Sequence, residues 1–225
     1  MPDMSLQGRI VAVIGAAGAL GTGLASAFAA AGASVIGVSK ALPKGDMQLD
    51  GVRYQAVNVL DDAALAELFD QGPPPWAVVN TVGAFAARTP LPELDPAVLT
   101  GQLELNLVSA ALITKHALRR MRTVGEGRIV HTASRAATVT RGAGFAYSVS
   151  KLGVLHLVAM AAEEVRGTGV TVNCVVPSII DTPANRSAMP EADHASWPKV
   201  ADITPVYLFL TSPAAHLVSG AAVPV

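Results

Sequence analysis

The sequence holds one cysteine, Cys174, in 225 residues. A single thiol excludes an intramolecular disulfide framework and a metal site built from several cysteines. It fits a reducing compartment, so the expected location is the cytoplasm, and no other spacing points to a metal. Charge is scarce too: Asp, Glu, Lys and Arg make up 15%, the formal net charge is -1, and the 16 Lys and Arg are scattered rather than gathered in a run. No footprint for a phosphate backbone is present, which argues against nucleic acid as a partner. Between Ile10 and Ser39 there is no charged residue at all. A membrane span needs about 20 apolar residues in continuous helix. Here Gly15, Gly18, Gly21, Gly23, Gly32 and Gly37 interrupt the run, each weakening a helix by roughly 0.8–1 kcal/mol relative to Ala. A basic n-region is missing as well, so neither a span nor a signal peptide is expected.

What is present is alternation. With 51% hydrophobic residues the chain has the composition of a folded protein, and it shows no internal repeat, low-complexity tract or linker, so one domain over residues 1–225 is expected. Residues 9–14 read as a β-branched strand, continuously apolar after Arg9, residues 20–31 are Ala-rich with Leu24 and Phe28 four apart, and residues 34–38 read as a second buried strand. Together they make one βαβ unit. Further strands are expected at 53–57, 76–80, 128–132, 170–175 and 221–225, and helices at 62–69, 99–122, 147–165 and 205–210. This pattern predicts an α/β fold: a doubly wound, mostly parallel sheet of about seven strands with helices on both faces, whose ligands bind at the carboxyl ends of the strands.

Four features fall at those ends. The first is the turn after the first strand, "IGAAGALG", where glycines and the backbone N–H groups of a helix start favour an anion such as a pyrophosphate. Its spacing departs from a regular G-x-G-x-x-G. The second is Tyr147 and Lys151, i and i+4 on one helix face. A nearby ammonium favours the phenolate and lowers a phenol from its ordinary value of about 10. The third is Ser134 in "GRIVHTAS", just past a strongly β stretch. The fourth is Asn106 in "LELNLVSAALITKHALRRM", a polar residue within an apolar helix. A buried Asn there demands partners, whereas an exposed one faces solvent or bends the helix.

These positions, in this order, resemble the short-chain dehydrogenase/reductase family nearly end to end. The resemblance implies a single-domain Rossmann-type fold and hydride transfer between a nicotinamide dinucleotide and a carbonyl or alcohol substrate. In it Tyr147 is the acid/base, Lys151 lowers the Tyr147 pKa and holds the nicotinamide ribose, Ser134 polarises the carbonyl, and Asn106 supports a water-linked proton relay. Tyr147 follows Ser134 by thirteen residues, a spacing common in the family. The family's T-G-x-x-x-G-x-G reads Ile14-Gly15-Ala16-Ala17-Gly18-Ala19-Leu20-Gly21 here, with Ala19 for the middle glycine; N-N-A-G reads Asn80-Thr81-Val82-Gly83, and Pro-Gly reads Pro177-Ser178. Carried over, the cofactor-binding positions are Gly15, Gly18, Ala19, Leu20, Gly21, Ser39, Lys40, Asn58, Val59, Asn80, Gly83, Tyr147, Lys151, Pro177 and Thr182. A homodimer or homotetramer, through the helices at 99–122 and 147–165, is implied in the same way.

The second strand ends Val38-Ser39-Lys40, with no carboxylate to bind the ribose hydroxyls and repel a 2′-phosphate. A hydroxyl beside a cation favours NADP(H) over NAD(H), which stays open. Residues 181–193 and Trp197 resemble dihydropteridine reductases, a branch of the family, and a pterin or quinonoid substrate is the alternative; a lid at 182–199 is expected there. Arg135, Arg141, His194 and Trp197 are candidate substrate contacts. A nucleotide-binding sensor or scaffold without turnover is the alternative of another class.

Overall fold

The computed structural model describes residues 4–43, 45, 48–86, 88–139 and 144–225; Arg141 lies outside them. Seven strands, β1 (Ile10–Ile14), β2 (Ser34–Ser39), β3 (Val52–Ala56), β4 (Ala77–Asn80), β5 (Glu126–Thr132), β6 (Gly169–Val176) and β7 (Ala222–Pro224), form one parallel sheet in the order β3-β2-β1-β4-β5-β6-β7. The winding reverses between β1 and β4, so the loops after these strands diverge and leave a crevice at the carboxyl edge. Helices α1 (Ala19–Ala30), α2 (Asp62–Asp70), α3 (Pro96–Leu103), α4 (Ser109–Val124), α5 (Phe145–Glu164), α6 (Pro183–Ala188) and α7 (Val200–Thr211) connect them. Side chains alternate across a strand, so Val11, Val13 and Val79 pack with α1 and α7, and Ala12, Ile14 and Val78 with α2, α4 and α5. The helical stretches Pro96–Val124 and Phe145–Glu164 have the length and apolarity of a membrane span by composition. On α5, Val154, Val158 and Ala161 turn inward to the core.

Two helix starts differ from expectation by three residues or more. The last helix begins at Val200 rather than 205, because the Asp202 carboxylate accepts the Lys199 N–H at 2.8 Å and closes the first turn ahead of Pro205. The helix expected at 99–122 begins at Pro96, where Asp95 accepts the Ala97 N–H at 2.8 Å, and one wide π-type turn, Glu104–Val108, divides it.

The turn between β1 and α1 is held from three sides. Gly15 and Ala16 donate their N–H groups to Val38 O at 2.7 and 3.0 Å, Ala17 N–H donates to Ser39 Oγ at 2.9 Å, and Thr81 Oγ1 donates to Ile14 O at 3.0 Å. Gly15 has φ +93°, which a side chain resists, and a Cβ on Gly21 would stand 2.1 Å from Gly15 O. Ala19 is the exposed first residue of α1, and no non-glycine residue described has positive φ. The turn therefore takes alanine at 19 without backbone strain.

A chain of buried polar groups runs across the ends of β4 and β5. Thr114 Oγ1 donates to Ala110 O at 2.7 Å, so it accepts from His131 Nε2 at 2.8 Å, which leaves Nδ1 bare to accept from Asn80 Nδ2 at 3.1 Å. Asn80 Oδ1 then accepts the Val82 N–H at 2.9 Å. The neutral imidazole is the form this chain accepts, and full burial lowers the His131 pKa from 6.5 to about 4.

A lowered histidine contributes stability that is complete above its unfolded value and is lost as pH falls from 6.5 toward about 4. On the order of 3 kcal/mol is at stake, at about 1.4 kcal/mol per unit. Urea unfolding across that window should show a steeper acid loss for the wild type than for His131→Asn, and parallel curves would refute the assignment. In the turn, Gly21→Ala should cost about 1–3 kcal/mol or more by overpacking. Ala19→Gly should cost no more than about 1 kcal/mol, both read from the same unfolding curves.

Candidate active site

β5 ends at Thr132, and the chain is then pinned to β6: Ala133 N–H donates to Val175 O at 2.8 Å and Arg135 N–H to Pro177 O at 2.9 Å. Between them Ser134 opens a short helical turn, Arg135–Ala137, its Oγ accepting the Ala136 N–H at 3.2 Å. The Ser148 hydroxyl donates to Ala136 O and draws the start of α5 against this turn. Tyr147 sits in the first turn of α5, partly buried, and Lys151 follows one turn on, only 4% exposed. Lys151 Nζ donates to Thr132 O at 2.9 Å.

Burial pushes the Tyr147 phenol above its ordinary value, and hydrogen bonding with Ser134 draws it partly back. The expectation that Lys151 lowers the Tyr147 pKa is not met in this arrangement: the ammonium is directed to Thr132 O, and burial lowers Lys151 itself to about 8. Cys174, a core residue of β6, is pushed up to about 12 by burial.

Asn106 enters the site from the wide turn. Its Nδ2 donates to Ala84 O at 3.2 Å, Gln102 Oε1 at 3.3 Å and Ser150 Oγ at 3.0 Å, while Oδ1 accepts the Ala84 N–H at 3.1 Å. The demand for partners made by a buried Asn is thus met by the loop after β4. Gly83 makes the meeting sterically possible: a Cβ there would come 2.6 Å from Asn106 Oδ1 and 2.7 Å from Lys151 Nζ.

The other sequence-selected residues divide into two groups. Gly15, Gly18, Ala19, Leu20 and Gly21 form the β1–α1 turn, Ser39 caps Ala17 within it, and Lys40 is exposed beside it. Gly18 carries no side-chain cap, so the first-turn N–H groups of α1 are left for an anion. Asn58, exposed, folds its Oδ1 onto the Leu60 N–H at 3.2 Å after β3. In the second group the side chain is spent on structure. Val59 packs into the core, and the Asn80 side chain is committed to His131 and Val82. Pro177 is buried and gives its carbonyl to Arg135. Thr182 caps α6 by accepting the Asn185 N–H at 3.2 Å. His194 and Trp197 meet at a tilt, 51° between ring planes and 4.6 Å between centres, in the 182–199 segment.

Three residues of the site escaped the sequence. Thr132 Oγ1 donates to Asn80 O at 2.9 Å and accepts from the Tyr207 hydroxyl at 2.8 Å, fixing the carbonyl that receives Lys151. Its place in "GRIVHTAS" was the available signal. Ser150 relays Asn106 to Tyr147 O at 2.8 Å. Phe85 meets the Tyr147 ring edge to face, centres 5.3 Å apart, and nothing in its sequence neighbourhood marks it.

The uncapped α1 start, the glycine turn and the Ser134, Tyr147 and Lys151 cluster share one edge, a donor set that fits a dinucleotide with a reacting group beside Tyr147. Residues 9–193 match the family model described as short chain dehydrogenase. Cis-4-hydroxycyclohexanecarboxylate dehydrogenase of Sinomonas cyclohexanicum is 30% identical, over 95% of this chain and 93% of its own. D-threitol dehydrogenase of Mycolicibacterium smegmatis is 31% identical, over 97% and 92%. Among solved structures, a short-chain type dehydrogenase/reductase from Mycobacterium ulcerans superimposes with a TM-score of 0.89 at 27% identity, over 98% of this chain and 89% of its own. The dihydropteridine reductase branch finds no support in these relatives. The chain belongs to the short-chain dehydrogenase/reductase family, NAD(P)-dependent oxidoreductases of alcohol and carbonyl substrates.

Proposed function

We propose that the protein interconverts a secondary alcohol and its ketone with NADP(H) as the preferred cofactor, Tyr147 exchanging the proton at the substrate oxygen. The observation that carries this is the interaction of Ser134 with Tyr147 at the edge where Lys151 also ends. Bound there, the nicotinamide supplies or accepts the hydride. Burial keeps the Tyr147 phenol protonated at neutral pH, ready to donate to a carbonyl oxygen, and Ser134 donates a second hydrogen bond to the same oxygen. Lys151, predominantly charged at neutral pH, holds the ribose hydroxyls, and Asn106 holds the floor of the site through Ala84. Both relatives above act, by name, on alcohols, which supports that substrate class.

Preference for NADP(H) rests on the end of β2. Ser39 spends its Oγ lone pair on the turn, its O–H remains a donor, and exposed Lys40 adds a cation without a neighbouring carboxylate in the strand end. The segment 182–199 serves as the substrate lid, braced by the Asp181–Arg186 pair and the Asp181–Lys199 bridge. Exposed Val149, Leu152 and Met160 on α5 support a homodimer or homotetramer built on that helix.

Tyr147→Phe should lower kcat by about 10²–10⁴-fold while NADPH still binds; near-normal turnover in a panel of ketones would remove the assignment. Lys40→Ala should raise the NADPH Kd by about tenfold and leave NADH little changed. Equal losses for both cofactors, measured by fluorescence titration, would count against the phosphate site.

A further inference from the structure

Asn106 does more than fill its own burial. By pairing with both the N–H and the C=O of Ala84 it fixes the residue immediately before Phe85, as a second strand would. Phe85 is thereby presented at the mouth of the site, 50% exposed, its ring edge to face with Tyr147. On the other flank, Arg135 N–H is bonded to Pro177 O, so the segment after β6 borders Ser134, and there Ile179 stands 38% exposed. A substrate oxygen placed between Ser134 and Tyr147 has apolar surface on both sides of its carbon.

We propose that Phe85 is a wall of the substrate site and a specificity-determining residue, selecting secondary alcohols whose carbinol carbon lies in an apolar ring over open-chain polyols. The inference rests on the reading of Tyr147 as the proton-exchanging group. A polyol laid on the Phe85 ring loses water from hydroxyls that the ring cannot hydrogen-bond, whereas ring methylenes are favoured there. The edge-to-face contact also holds the Tyr147 ring in one rotamer, so the wall that selects the substrate orients the proton donor.

The test uses cyclohexanol and erythritol as probes, with the enzyme saturated with NADP+ and binding read by saturation-transfer NMR. Cyclohexanol should bind about tenfold more tightly than erythritol, Phe85→Ala should weaken it by about tenfold, and Phe85→Leu should restore most of the loss. Because Phe85 is half exposed, neither variant should disturb folding, and the NADP+ Kd should move by less than about twofold if the effect is confined to the wall. Equal affinity for the two alcohols, no measurable cyclohexanol binding, or a cyclohexanol Kd unchanged in Phe85→Ala would overturn the proposal. Turnover is read separately as NADPH absorbance. Phe85-dependent binding without NADPH formation would sink the role of Tyr147 and leave the wall in place, whereas NADPH formation with no dependence on Phe85 would do the reverse.

Discussion

The hydrogen bond from Lys151 Nζ to Thr132 O is the contact on which the carboxyl edge of the sheet depends. A cation buried to this degree loses its hydration and stays charged only if a fixed acceptor replaces the water. Thr132 supplies one because its position is settled independently. It closes the β5 ladder, donates from Oγ1 to Asn80 O and receives the Tyr207 hydroxyl from α7. Asn80 in turn is oriented by His131, and His131 by Thr114 on α4. Groups from both faces of the sheet thus converge on one carbonyl, and the ammonium it holds lies one helical turn from Tyr147.

Missing side chains matter as much at this edge as those present. Gly83 lets Asn106 and Lys151 approach the loop after β4, and Gly21 lets the first turn of α1 settle on Gly15 O. For Gly21 this is a matter of volume alone, whereas Gly83 also holds φ +157°, an angle that a side chain resists. Ala19 shows the converse, since the position that departs from the family pattern is exposed and carries an ordinary helical residue. The wide turn at Glu104–Val108 is a related device, because the extra residue rotates Asn106 inward to its partners.

Strand positions were readable to within a residue or two at most ends, from 9–14 against Ile10–Ile14 to 221–225 against Ala222–Pro224. Strands buried on both faces must be continuously apolar, and that signal is local. Helix boundaries were less readable where a side-chain cap sets them. Asp202 and Asp95 start α7 and α3 earlier than the apolar period indicates. Asn106, Ser134, Tyr147 and Lys151 were visible as a constellation through their residue types and their order along the chain, which resemble the family pattern. Val59 and Asn80 were visible as positions, but their side chains face the core and a buried imidazole, which spacing does not report.

By itself, then, the sequence determined the alternation of apolar strands and helices, the parallel doubly wound sheet, and which residue types would reach its carboxyl edge. Those follow from periodicity and turn chemistry, which act between residues close in the chain. Only the tertiary structure decided what the groups do to one another. Tyr147 is shifted upward by burial and answered by Ser134, Lys151 is turned to Thr132, and Phe85 is set against Tyr147 by Asn106. These are effects of desolvation and contact between residues thirteen to sixty-two positions apart, and such effects exist only once the chain has closed around them.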